Sequence, residues 1–257
     1  MCILCDEKGF FIMKRYIVPF LGCILVSSLT GCSKDDMPSP RAGIVYKSAG
    51  IDDETHKDLS TSQQYDTQQI NEKLKTMNNN DLFQFALNCG NEGKYTEALA
   101  AYSKIVEKDK NYPEVYYYQG LVYRDLGLID EAICSFQTAV TQNPNFAEAH
   151  YNLGYAYRCK GLHGEAIPEY QKALELIPGS RTKQMAAIHY NLGFSLFSQG
   201  QIDNAINEFG KALTFKPGDK EIHQKLGIAY TAKGWLDKAK NEFSLGSEND
   251  KATNKIP

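Results

Sequence analysis

Three histidines, His150, His189 and His223, are the nearest thing in this sequence to a chemical set. They fall at one position in successive copies of a repeat described below. Packed helices stand roughly 8–10 Å apart, whereas zinc–nitrogen bonds are about 2 Å. Three ligands one repeat apart therefore do not converge on one ion, and the set reads as structural. His163 falls at a helix-packing position, and His56 lies in a polar stretch. No phosphate loop, nucleophile elbow or HExxH run is present. Cys2 and Cys5 form a CxxC with no second pair to close a zinc site. Cys89, Cys134 and Cys159 fall at helical positions that do not suggest a bridge, so they read as free, partly buried thiols. The expectation is a non-enzymatic chain with no cofactor, metal or small-molecule substrate.

The elements that carry these residues repeat. Residues 147–180 read AEAHYNLGYAYRCKGLHGEAIPEYQKALELIPGS. Leu153, Gly154 and Tyr157 share one helical face, and Ala166, Tyr170 and Ala173 share another. Gly154 and Ala166 are small enough for two helices to cross closely. Gly161 supplies a left-handed turn between them, and Pro178 ends the second helix. The pattern recurs with a period of about 34 residues. The frames are 79–112, 113–146, 147–180, 186–219 and 220–253, with 254–257 as a tail. The first frame is the least regular. The insertion at 181–185 either lengthens the first helix of the fourth frame or adds a loop. In the last frame Lys238, Lys240, Asn241 and Ser244 point to solvent, so its final helix, ending near Leu245, reads as a polar cap with a frayed tail from Ser247.

Tyr151-Asn152-Leu153-Gly154 and Tyr190-Asn191-Leu192-Gly193 carry a resemblance to tetratricopeptide repeats over residues 79–253. The resemblance implies an all-α, right-handed superhelical solenoid of helix-turn-helix repeats whose concave face holds peptides or partner proteins. The first helices then line the groove. One row is Phe83, Tyr117, Tyr151, Tyr190 and Gln224, and a second is Leu87, Leu121, Tyr155, Phe194 and Ile228. Arg124 and Arg158 lie one turn further on, with Asn152 and Asn191 nearby. Aromatic side chains offer rigid contact area. Arginine suits a carboxylate, and asparagine suits a peptide backbone. The family's chaperone-tail clamp uses basic and amide side chains where this chain has Tyr117, Leu121 and Tyr155, which argues against acidic chaperone tails and for a peptide with apolar anchors.

The N-terminal part has a different composition. Met13-Lys14-Arg15 precedes an apolar run from Tyr16 to Leu29, followed by Thr30, Gly31 and Cys32. These are the parts of a secretory signal, and the run is short for a membrane-spanning helix. Leu29-Thr30-Gly31-Cys32 resembles the lipobox of bacterial lipoproteins, which implies lipidation of Cys32 as the first mature residue and a membrane attachment through that lipid. Residues 1–31 then form the signal segment, with 1–12 a possible extension upstream of a start at Met13. Residues 32–78 are the lipidated cysteine and a polar tether, a coil spanning on the order of 35–40 Å. Ile70, Leu74 and Met77, with Tyr65, are spaced for a short helix capping the first repeat, or else continue the tether. Ser33 after the cysteine resembles lipoproteins sent to the outer membrane.

The chain has 257 residues and a net charge of −3, which gives no field that would favour nucleic acid. The expected layout is that of a lipid-anchored scaffold of the bacterial cell envelope, at the outer membrane facing the periplasm, with a protein or peptide partner. It is similar to lipoproteins that assist pilus secretins or deliver peptidoglycan enzymes. The alternative is a structural subunit of an outer-membrane assembly that buries its convex face.

Overall fold

A computed structural model describes residue 70 and residues 72–252, with side chains to residue 247. Cys32, the signal segment, most of the tether and the tail at 254–257 lie outside the described residues. Every element among the described residues is helical. The helices are α1 (Asn79–Asn91), α2 (Tyr95–Lys108), α3 (Pro113–Asp125), α4 (Ile129–Gln142), α5 (Ala147–Cys159), α6 (His163–Leu176), α7 (Thr182–Ser198), α8 (Ile202–Phe215), α9 (Lys220–Ala232) and α10 (Leu236–Ala252).

Consecutive helices pair as hairpins, and each hairpin stacks on the next through its second helix. The first helices of neighbouring hairpins, α1 with α3, α3 with α5, α5 with α7 and α7 with α9, also touch directly. The result is the right-handed superhelical solenoid. Its hairpin turns share one device. Gly93, Gly127, Gly161, Gly200 and Gly234 all have φ between 73° and 76°, a conformation that costs an L side chain strain. Pro113 opens α3, where a missing N–H costs nothing. Asn78 and Asp219 cap α1 and α9 by accepting from the Asp81 and Ile222 amides.

Glycine and aromatic side chains make the hairpin core. Gly120 faces Phe136, Gly154 faces Tyr170, Gly193 faces Phe209 and Gly227 faces Phe243. Phe136, Tyr170 and Phe209 are fully buried or nearly so, because the next hairpin covers them. The core is consequently a seam along the stack. One stretch of it joins Tyr170, Ile188, Leu192, Phe209, Ile222 and Leu226 from three successive hairpins.

The insertion at 181–185 lengthens a helix: α7 has 17 residues, where α1, α3, α5 and α9 each have 13. Residues 72–76 are helical, and Leu74, fully buried, joins Ile70 and Met77 on the core of the first hairpin. This is the capping helix, not more tether. The last helix differs from its expected form. It runs through Gly246 to Ala252. Gly246 is buried, and a Cβ there would come within 3.3 Å of the Lys220 carbonyl, so this glycine serves close approach to α9 and does not end the helix. Lys238, Lys240, Asn241 and Ser244 are exposed as expected, but so are Leu236, Phe243 and Leu245. The final helix is not a polar cap.

Candidate functional site

The first helices carry the expected rows. Phe83 and Leu87 on α1, Tyr117 and Leu121 on α3, Tyr151 on α5, and Tyr190 and Phe194 on α7 are partly buried. Gln224 and Ile228 on α9 are exposed. The ring planes are held by the second helices. Tyr117 lies 6.0 Å from Phe136, Tyr151 6.0 Å from Tyr170, and Tyr190 6.0 Å from Phe209. Phe83 packs among Tyr102, Tyr112 and Tyr118. Each ring on this face therefore belongs partly to the hairpin core.

The tyrosine hydroxyls are tied to the following hairpin. Asn152 Nδ2 donates to the Glu148 carbonyl at 2.8 Å and reaches the Tyr117 hydroxyl at 3.5 Å. Asn191 Nδ2 donates to the Ala187 carbonyl at 2.9 Å and to the Tyr151 hydroxyl at 3.3 Å. The Tyr190 hydroxyl donates to the Glu221 carboxylate. Burial pushes the Tyr151 hydroxyl far above its ordinary value, so it stays a neutral phenol. This ladder fixes the orientation of successive first helices. It was not anticipated, although the asparagine of each Tyr-Asn-Leu-Gly run stood in the sequence as its signal.

Five expected contact residues are not available as such. Asn152 and Asn191 are buried and spend their amides on the ladder. Tyr155 is buried beneath Arg158, whose guanidinium carbon lies 4.9 Å from its ring centre and 5.1 Å from that of Phe194. Arg158 is itself only 3% exposed and Arg124 only 4%. Arg124 donates from Nε and Nη2 to Asp125 Oδ1 at 3.0 and 2.8 Å, and from Nη1 to Asn152 Oδ1 at 2.9 Å. The carboxylate it holds is its neighbour's, not a partner's. A planar fork with Asp125 adjacent satisfies itself at no entropic cost of bringing a second molecule.

The histidines are structural in a specific way. His150 Nδ1 meets Glu169 Oε2, His189 Nδ1 meets Glu208 Oε2 and His223 Nδ1 meets Glu242 Oε2, each at 2.6 Å. His150 Nε2 also meets the Pro144 carbonyl at 3.0 Å, and His223 Nε2 the Pro217 carbonyl at 2.8 Å. Each ring thus ties the two helices of one hairpin, and two of them also tie the loop that enters it. Burial, with Arg158 nearby, lowers the His163 pKa. Among the described residues no group of three or more His, Cys, Asp or Glu side chains is placed to hold a metal. Cys89 is a buried free thiol whose pKa burial raises, and Cys134 is exposed.

Comparison with known proteins agrees with this architecture. A family profile described as TPR repeat matches residues 120–161, and one described as Tetratricopeptide repeat matches residues 145–218. A crystal structure of MamA protein shares 30% identity at a TM-score of 0.63, covering 70% of this chain and 96% of that one. A second MamA crystal structure shares 31% identity at a TM-score of 0.61, covering 66% and 97%. MamA from Desulfovibrio magneticus RS-1 shares the fold at 22% identity and a TM-score of 0.63, covering 69% of this chain and 97% of that one. No curated protein matches the sequence. With five stacked hairpins among its described residues and the Tyr-Asn-Leu-Gly wording on two of its first helices, the chain belongs to the tetratricopeptide-repeat family.

Proposed function

We propose that this protein is a lipid-anchored docking scaffold of the bacterial cell envelope. The first-helix face holds a protein or peptide partner, and Cys32 carries the anchor. The observation that carries the reading is the row of partly exposed aromatic side chains on four consecutive first helices, Phe83, Tyr117, Tyr151 and Tyr190, continued on the fifth by the exposed Gln224, with Ile228 exposed one turn further along. Rings whose planes and hydroxyls are already fixed lose little entropy when a partner covers them. With Arg124 and Arg158 buried, the face suits a partner that anchors by apolar side chains over one that anchors by carboxylates. The lipobox-like Leu29-Thr30-Gly31-Cys32 supports a lipid anchor at Cys32, and Ser33 after it supports the outer membrane as its place.

A second reading has its own support. Phe243 is 40% exposed, whereas Phe136, Tyr170 and Phe209 at the same place in their hairpins are covered. An apolar surface on the last described hairpin would suit a subunit built into a larger assembly. The two readings separate in one capture experiment from envelope extract, with the parent compared with a Tyr190→Ala, Ile228→Ser variant of unchanged helical circular dichroism. A partner held by the parent and lost by the variant supports the docking face. Equal capture by both moves binding off that face and favours the assembly subunit. Cys32→Ser should abolish lipid labelling and release the chain from membranes. Lipid labelling that persists in that variant would overturn the anchor.

A further inference from the structure

The exposed large apolar side chains are not spread evenly. Leu126 (42% exposed), Leu128 (43%), Leu162 (39%) and Trp235 (42%) sit in the turns that join the two helices of a hairpin, and Leu236 (66%) opens α10 directly after such a turn, whereas Ile228, Phe243 and Leu245 lie within helices. Leu128, Leu162 and Trp235 occupy one equivalent position, directly after the left-handed glycines Gly127, Gly161 and Gly234. These turns lie along one edge of the stack. Lys160, in the turn of the third hairpin, pairs with Asp130 in the first turn of α4, in the second hairpin. Lys233 pairs with Asp203 at 2.9 Å across the fourth and fifth. The loops on the opposite edge, between hairpins, carry Pro144, Pro178, Gly179, Pro217 and Asp219 and contribute none of the exposed large apolar residues among the described residues.

We propose that this turn edge rests on a lipid bilayer. The second and third turns, neighbours roughly 10 Å apart at the spacing of packed helices, carry leucine tips and the fifth carries Trp235, while Lys94 and Gln201 hold the same place in the first and fourth turns; the apolar tips form an interrupted ridge. A ridge suits a fluid apolar layer that closes around each tip, whereas a peptide needs a groove. Leucine and tryptophan at turn tips are the residue types that settle at the boundary of headgroups and acyl chains. Lys238 and Lys233 lie 4.4 and 5.7 Å from the Trp235 ring centre, where long side chains reach headgroups while their stems stay on apolar surface. Because Lys160 and Lys233 already have carboxylate partners, the ridge is locally neutral and phosphatidylcholine suffices as the lipid. The proposal draws on the anchored reading for proximity. The chain between Cys32 and Ile70 reaches at most roughly 130 Å when extended, enough to let this edge lie flat on the membrane that Cys32 enters.

Trp235 is the one tryptophan of the chain, so its emission reports this edge alone. The acylated full chain and its Cys32→Ser variant are each mixed with phosphatidylcholine vesicles, with plain or brominated acyl chains, and floated. Blue-shifted emission that brominated lipid quenches is the expected result. Leu128→Ser with Leu162→Ser, both at exposed turn positions, should lower the docked-to-free ratio roughly tenfold or more. If the acylated chain floats while Trp235 emission is the same in both lipids, the edge proposal fails and the anchor stands. If the Cys32→Ser chain shows the quenching, the edge docks without the acyl group. If neither form floats, both the edge and the anchor are overturned.

Discussion

Gly120 offers the sharpest test of how this stack is held together. A Cβ at Gly120 would lie 2.5 Å from Cε1 and 2.7 Å from Cδ1 of Phe136, against an optimum of about 3.5–4.0 Å for carbon pairs. Phe136 is fully buried, so its ring has nowhere to go without moving the hairpin. Overpacking of this kind costs about 1–3 kcal/mol, and alanine returns up to about 1 kcal/mol of helix propensity. Gly120→Ala should therefore lose roughly 1–2 kcal/mol. Gly227 makes nearly the same contact, 2.6 Å to Cε1 of Phe243. There the ring is 40% exposed and can swing toward solvent. The overpacking cost should largely vanish at Gly227, leaving Gly227→Ala between neutral and about 1 kcal/mol more stable. Gly154 and Gly193, each with a 2.9 Å contact to a buried ring, should fall between these two.

The assay is urea unfolding of the four single variants, followed by circular dichroism and compared at the midpoint. The order, more than any one value, carries the test. If Gly120→Ala is as stable as the parent, the glycine–aromatic contact does not limit the hairpin. If Gly227→Ala loses as much as Gly120→Ala, burial of the ring by the next repeat is not what makes the contact rigid.

Two further outcomes follow from the buried charges. Burial alone would raise the Glu208 carboxyl pKa, but its bonds to His189 and Lys211 outweigh this and hold it below the usual value. A depressed carboxyl stabilises above its unfolded pKa, about 4.3, and the contribution disappears as pH falls through the folded value. The stability margin of the parent over Glu208→Gln should thus hold from neutral pH to about 5 and close below about 4; a margin that persists at lower pH would refute the pairing. Arg124→Met should cost roughly 3–5 kcal/mol, because Asp125 and Asn152 are left buried without their donor. Arg124→Lys should recover only part of this, since lysine lacks the fork. A loss under about 1 kcal/mol in chemical denaturation would mean that water replaces the guanidinium.

How much was legible in the sequence follows from what each residue interacts with. The small residues, turn glycines and aromatic positions depend on the backbone of their own hairpin, and their periodicity announced the hairpin. The insertion at 181–185 was legible as a change but not as a longer α7, since loop and helix satisfy the same spacing. Arg124 and Arg158 misled because helical position says which face a side chain starts from and not where a long side chain ends. Arg124 turns to Asp125, its immediate neighbour, and to Asn152 on the next hairpin. The polar cap misled for a related reason. The lysines of α10 were visible one residue at a time, while the exposure of Phe243 depends on what packs over its whole hairpin.

The same dependence explains why the docking face and the stack cannot be varied separately. Tyr117 and Tyr151 offer ring area on the first-helix face, yet their hydroxyls are tied to Asn152 and Asn191 of the hairpin that follows. Any side chain that alters the contact area also alters the bond that sets the angle between successive first helices. Under the proposed docking role, specificity is freer to change at Leu121, which is partly buried, and at the exposed Gln224 and Ile228, which no side-chain hydrogen bond ties to the ladder. In this arrangement the tyrosines set the shape of the face, and under the proposed docking role the residues between them are the ones left to choose a partner.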